Sequence, residues 1–384
     1  MQMTSHKDQN YQLFIGIMSG TSMDGIDGVL CSINPIGQSE VLVHTSAAFS
    51  PGLKEVLYEL QAPTDNELHK EALAANQLAQ EYALIVQRIL KLASLTPQHI
   101  VAIGAHGQTI RHQPILLNGD GYSWQCLNGA LLAELTGIDV INDFRSRDIA
   151  AHGHGAPLVP AFHHAQFGNS TDSKAILNLG GIANLTLLNP NQPILGFDTG
   201  PGNLLLDTWI FENKQLNYDH HGQWGRSGKI NIELFDILLK EPYFSLPIPK
   251  STGRDLFNLK WLLNQIALCS TKPAAEDIQA TLVSLTARSV VLSLFTHMPN
   301  CQELIICGGG TKNIFLLERI AQMCQEHQAS LTVLTAEDLG LDSQTIEGMA
   351  FAWLAWCFCS NKPSNIPEVT GAKGPRILGS LHRK

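Results

Sequence analysis

Short apolar runs closed by glycine-rich or acidic turns recur along this chain, and each predicts a strand that delivers a loop. The first run is Leu13-Phe14-Ile15-Gly16-Ile17-Met18; Ser19 to Asp24 is the turn, and Gly28-Val29-Leu30-Cys31-Ser32-Ile33 returns. A third strand is predicted over Val41 to Ala48. The period then changes. Leu78, Tyr82, Ile85 and Ile89 recur at spacings of four, three and four, which marks one face of a helix over Glu67 to Leu95. Pro97 closes it. Two short apolar segments follow, Ile100 to Ala105 ending at His106-Gly107-Gln108-Thr109, and Asp139 to Asn142 ending at Asp143-Phe144-Arg145-Ser146-Arg147-Asp148.

The second half opens in the same way. Lys174 to Leu179 is apolar, Gly180-Gly181 is the turn, and Leu185-Thr186-Leu187-Leu188 returns. Ile194 to Phe197 ends at Asp198-Thr199-Gly200-Pro201-Gly202-Asn203. Helices are predicted near Leu204 to Glu212, Ile230 to Leu239, Ala274 to Phe295 and Ser343 to Phe358, with a strand Glu303 to Ile306 leading into Cys307-Gly308-Gly309-Gly310. The tail, Pro363 to Pro375, reads as a linker, and Arg376 to Leu381 as a last strand. Strands that end in polar loops, with helices between them, define an α/β pattern whose ligand site lies at the strand ends.

Composition supports two packed domains: 384 residues, 44% apolar and 15% charged. The balance of 25 basic and 34 acidic residues gives −9. That sign, with no long basic run, argues against a nucleic-acid or anionic-membrane partner. No run of about 18 apolar residues occurs, so no spanning helix is expected. The 8 cysteines form no CxxC pair and read as buried cytosolic thiols.

Five loops could carry chemistry. Ser19 to Asp27 offers backbone N–H groups and hydroxyls to an anion, with Asp24 or Asp27 available to magnesium, or it is an ordinary hairpin turn. Asn178-Leu179-Gly180-Gly181 holds the equivalent place in its half. Asp198, at a strand end before a rigid turn, is placed as a general base or as a helix cap. Gly308, Gly309 and Gly310 expose backbone to a flat ligand or permit close packing. His106, Gln108, Arg111, Arg145, Arg147, Asp148 and Glu347 form a polar set suited to a carboxylate or phosphate, or are solvated charges. His152, His154, His163 and His164 match no common zinc spacing. Lys250-Ser251-Thr252-Gly253-Arg254-Asp255 could touch phosphate or sugar, or be a helix-capping loop, and has no assignment between the two.

Taken in order, these stretches resemble the anhydro-N-acetylmuramic acid kinase family. The likeness rests on Gly16-Ile17-Met18-Ser19-Gly20-Thr21-Ser22-Met23-Asp24-Gly25, His106 to His112, Asp143-Phe144-Arg145, Gly155 to Pro160, Asn178 to Gly181, Phe197 to Asn203, Lys250 to Arg254, Cys307 to Gly310 and Glu347 to Ala352. The resemblance implies two ribonuclease-H-like domains of the actin and hexokinase type around a central cleft. The expected split is residues 1–143 plus 367–384 for the first and 144–366 for the second. It implies ATP and Mg2+ as cofactors and an anhydro amino sugar as the small-molecule partner. No nucleic acid or membrane is implied, a homodimer is a possible assembly, and the location is cytoplasmic. The reaction would hydrolyse the 1,6-anhydro ring of 1,6-anhydro-N-acetylmuramic acid and phosphorylate O6. Asp198 would be the base. Gly20, Thr21, Ser22, Met23, Asp24, Gly25, Ile26 and Asp27, with Gly180, Gly181, Gly308, Gly309 and Gly310, would meet the nucleotide. His106, Arg147 and Glu347 would meet the sugar. The wider superfamily starts its first hairpin with Asp, where this chain has Met18.

Overall fold

The computed structural model of the chain describes residues 11–20, 23, 25–116, 119–168 and 171–384. In chain order the strands are β1 (Gln12–Ser19), β2 (Ile26–Ile33), β3 (Ser39–Ala47), β4 (Ile100–Ala105), β5 (Gln108–Leu116), β6 (Gly119–Cys126) and β7 (Val140–Asn142). They continue with β8 (Lys174–Leu179), β9 (Ile182–Leu188), β10 (Leu195–Pro201), β11 (Glu303–Cys307), β12 (Thr332–Thr335) and β13 (Ser380–His382).

The chain forms two compact units, Met1–Asn169 with Gln344–Lys384, and Ser170–Ser343. In the first, the sheet order is β13-β7-β4-β1-β2-β3. The β1–β2–β3 meander is antiparallel, and β4 and β7 run parallel to β1. In the second the order is β10-β9-β8-β11-β12, again an antiparallel meander beside two parallel strands. Each unit therefore has the ribonuclease-H-like strand order, and the repeat seen in the sequence is a repeat of topology.

The first sheet carries the helix Glu67–Ala93, whose buried stripe includes Leu78, Tyr82, Ile85 and Ile89. The helix Ile346–Cys359 lies on β1, β2 and β4. Glycine at three places makes this approach possible: a β-carbon on Gly16 would run into Gly348 O, one on Gly104 into Phe351 O, and one on Gly348 into Val29. At Gly16 and Gly104 backbone thus meets backbone, and at Gly348 the Val29 side chain fills the space a β-carbon would take. In the second unit the helix Ala275–His297 is long and apolar enough to cross a membrane, but it is the buried core helix of its unit.

Two expectations are corrected. Residues 144–169 and 344–366 belong to the first unit, because the helix Ile346–Cys359 covers the first sheet and Gln166 exchanges two hydrogen bonds with Ser39 on β3. The tail is no linker. Ser364, Asn365 and Thr370 are buried, and the buried carboxylate of Asp148 ties down Asn365 and Thr370. Asn365 Nδ2 (2.7 Å) and Thr370 Oγ1 (2.8 Å) both donate to Asp148 Oδ1, while Gly155 N donates to Oδ2 at 2.8 Å. The last strand is correspondingly short, Ser380–His382 on β7.

Candidate active site

In the second unit the polar turns gather at one end of the sheet. Parallel pairing of β8 with β11 puts Cys307 beside Asn178, so Gly308 leaves the sheet next to the Asn178–Gly181 turn. The turn after β10 packs onto that same hairpin. Gly202 N donates to Gly181 O at 2.9 Å, Asn203 N to Gly180 O at 2.9 Å, and Asn203 Nδ2 to Leu179 O at 3.2 Å. From below, Thr286 Oγ1 on the core helix donates to Pro201 O at 2.9 Å.

The glycines divide by cause. Gly308 has φ +89° and no room for a β-carbon beside Asn178 Oδ1, and Gly310 packs on Leu179. Gly309 has open space around it, and Gly180 and Gly181 have no close neighbour either. Packing explains the first two, and an approaching ligand would explain the other three.

Asp198 sits where β10 slips register against β9, between Asp198↔Asn184 and Gly200↔Ala183. A bulge of this kind re-aims a side chain. Asp198 is not the cap of the next helix, which starts at Leu204 behind Asn203. The unassigned 250–255 loop supplies its surroundings. Thr252 N donates to Asp198 Oδ2 at 3.0 Å, and Asp198 N donates to Lys250 O at 3.1 Å. Tyr243 Oη donates to the Asp198 carbonyl at 2.8 Å. Burial pushes the Asp198 carboxyl up to about 6, against the pull of the Thr252 N–H and the Lys250 ammonium. Sequence reasoning singled this loop out but did not tie it to Asp198, because the bond from Thr252 N spans 54 residues of chain.

In the first unit, Ser19 ends β1. Its hydroxyl pairs with Tyr82 Oη at 2.8 Å and donates to Gly107 O at 3.0 Å. Gln108 Nε2 donates to Gly20 O at 3.2 Å, and Met23 N closes a turn onto the same carbonyl. Ile26 and Asp27 begin β2, and Asp27 Oδ1 pairs with His44 Nε2 at 3.1 Å. Gly25 packs against Ala47 O. Thr21, Ser22 and Asp24 lie outside the described residues.

His106 is committed internally. Its Nδ1 faces Ser19 O at 3.2 Å, and a carbonyl can only accept, so the proton is on Nδ1. Nε2 then accepts from Arg145 Nη2 at 3.0 Å. Burial, reinforced by Arg145, drops its pKa to about 3, so the ring is neutral. Both ring nitrogens are thus engaged within the protein, and the ring braces Arg145 against the first hairpin. Arg145 also donates to Gly155 O at 2.8 Å and feels the Glu347 carboxylate. Arg147 is not brought to this cluster. It is exposed on the short helix Ser146–Ile149 and, among the described residues, has no polar partner. Glu347 is half-buried at the start of its helix. Among the described residues no three His, Cys, Asp or Glu side chains gather as a metal cage.

Two ribonuclease-H-like units, each an antiparallel meander beside two parallel strands, define the fold class of the actin and hexokinase kind. A sequence model of the anhydro-N-acetylmuramic acid kinase family matches residues 12–384, and the chain belongs to that family. The anhydro-N-acetylmuramic acid kinase of Cupriavidus metallidurans is 46% identical over 378 residues, 97% of this chain and 98% of that protein. That of Nitrosomonas europaea is 46% identical over 370 residues, 96% and 99% of the two chains. Among solved structures, a ROK family glucokinase from Streptomyces griseus aligns at TM-score 0.37 and 14% identity, over 88% of this chain and 98% of that one.

Proposed function

We propose that Asp198 is the general base of the reaction that belongs to this family, the ATP-dependent conversion of 1,6-anhydro-N-acetylmuramic acid to N-acetylmuramic acid 6-phosphate and ADP in cell-wall recycling. The observation carrying this assignment is the Asp198 carboxylate itself. It stands on a bulge, with Oδ2 fixed by Thr252 N and Oδ1 without a protein partner among the described residues. A carboxyl held near 6 is about nine-tenths ionised at pH 7, which is where a base is useful.

Asp198 takes a proton from water as the water oxygen bonds to C1 of the sugar. The C1–O6 bond breaks, and its electron pair stays on O6. O6 then bonds to the γ-phosphorus, and the bond to the bridging oxygen of ADP breaks. Catalysis is chiefly positioning and charge stabilisation. The open backbone at Gly180, Gly181 and Gly309 can approach phosphate or adenosine closely, and the stretch from Ser19 to Asp27 would be the second phosphate contact. The free guanidinium of Arg147 suits the lactyl carboxylate, and Glu347 suits sugar hydroxyls. Magnesium takes few protein ligands and several phosphate and water oxygens, so one or two carboxylates are enough to hold it. Asp24 or Asp27 of the first hairpin would hold it, and the ion would neutralise charge on the transferring phosphoryl group. Dependence on ATP is the reason for placing the reaction in the cytoplasm. The test is formation of the 6-phosphate from the anhydro sugar and ATP. Asp198→Asn should lose about 10²–10⁴ of the rate, and full activity in that variant would refute the assignment.

A further inference from the structure

Lys250 has no role in the reaction as described, yet its ammonium is spent entirely on the surroundings of Asp198. Nζ donates to Tyr243 O and to Phe244 O, both at 3.2 Å, and lies 4.7 Å from the centre of the Tyr243 ring. Each of these partners leads back to the carboxylate. Tyr243 Oη holds the Asp198 carbonyl, and Phe244 closes against Gly200, whose φ of +150° shapes the turn after Asp198. Lys250's own carbonyl accepts from Asp198 N, and two residues on, Thr252 N holds Oδ2. One side chain thus clips the Pro242–Ser245 turn and the 250–255 loop to the same strand end.

We propose that Lys250 is a positioning residue of this kinase: its ammonium clamps the two segments that aim Asp198 and supplies the positive charge that keeps the base ionised. The proposal rests on the assignment of Asp198 as the base. A half-buried lysine is itself disfavoured by burial and is held charged by Asp198, so the two charges support one another. The titratable groups facing it are Asp198, the Tyr243 phenol and His297, which stacks edge-on to Phe197. His297 is pushed down by burial and by the Lys250 charge, so it adds no competing cation at neutral pH.

The experiment is the pH profile of kcat/KM for wild type, Lys250→Gln, Lys250→Met and Lys250→Arg, with Asp198→Asn alongside. Gln can keep the bonds to the two carbonyls while losing the charge; Met loses both. Both neutral variants should move the acid limb to higher pH and lose about ten-fold at pH 6, where ionisation of the base is limiting. Arg should leave the limb in place. Met should lose further in kcat at pH 8, where Gln recovers. A limb that stays put in Lys250→Gln, with Asp198→Asn inactive, overturns the role of Lys250 alone. Activity in Asp198→Asn overturns the assignment of the base, and this proposal with it. If Lys250→Met does not fold, the Gln and Arg pair decides the matter.

Discussion

Asp148 is the clearest place to break the first unit. Its side chain is fully buried and accepts from Gly155 N, Asn365 Nδ2 and Thr370 Oγ1. Removing it in Asp148→Ala strands these donors. Two have a fallback: Thr370 Oγ1 lies 3.4 Å from Ile366 O, and Asn365 Nδ2 lies 3.3 Å from Gly374 O. Gly155 N has none among the described residues. Each buried donor left unmade costs about 1–3 kcal/mol, and a bond to a charged acceptor about 1.5–3. With partial recovery by two donors the loss is about 3–5 kcal/mol, a large share of the roughly 5–15 kcal/mol that holds a typical domain. Asp148→Asn keeps Oδ1 but can turn an NH2 toward Gly155 N, so it should lose about half as much. Urea unfolding of both variants measures this, with amide exchange at Gly155 and proteolysis of residues 361–379 reporting where the opening occurs. A loss under about 1 kcal/mol in the alanine variant, or Asn worse than Ala, would refute the reasoning.

Four further outcomes are expected. Because the Asp198 carboxyl titrates near 6, kcat/KM of the wild type should fall about ten-fold per pH unit below that value. The same shift acts on stability. The folded chain binds the proton more tightly than the unfolded one, so Asp198 costs stability as pH rises from about 3.8 through about 6; inactive Asp198→Asn should melt above wild type at pH 7 and level with it at pH 4. Gly104→Ala drives a β-carbon into Phe351 O, where backbone cannot yield, and should cost at least about 1–3 kcal/mol in a thermal melt, with Gly340→Ala, set in open space though at φ +76°, the milder control. Arg147→Ala should raise KM for the sugar with little change in melting, whereas Arg145→Ala should lower the melting temperature first, since it braces Gly155 and His106.

What could be read from the sequence follows from the range of the interactions. The apolar runs of β1, β2, β8 and β9, and the four-three-four stripe of the long helix, are local patterns, and they fall where the structure has them. The apolar run that leads into Asp198 was also legible, but β10 does not end there: it continues through a bulge to Pro201, and the bulge depends on pairing with β9. The tail was not. Its composition is that of a linker, and its order comes from a carboxylate 222 residues away in the chain. The Lys250 loop was equally silent, since the atoms that give it meaning are on Asp198 and Tyr243. His106 was seen as polar and near the site, but its tautomer depends on which groups face its two nitrogens. Such facts depend on packing between distant segments, and periodicity does not reach them.

The order of synthesis sets one more consequence. The second unit is a single stretch, and all its strands leave the ribosome together. The first is interrupted by it, and the helix that covers Gly16 and Gly104 emerges only after residue 345. For the length of an entire domain, β1 and β4 must keep one apolar face bare, with two glycine notches waiting for a backbone that does not yet exist. The nascent chain is therefore most vulnerable to self-association during the middle of its translation, and its last forty residues act as the lock that ends that period.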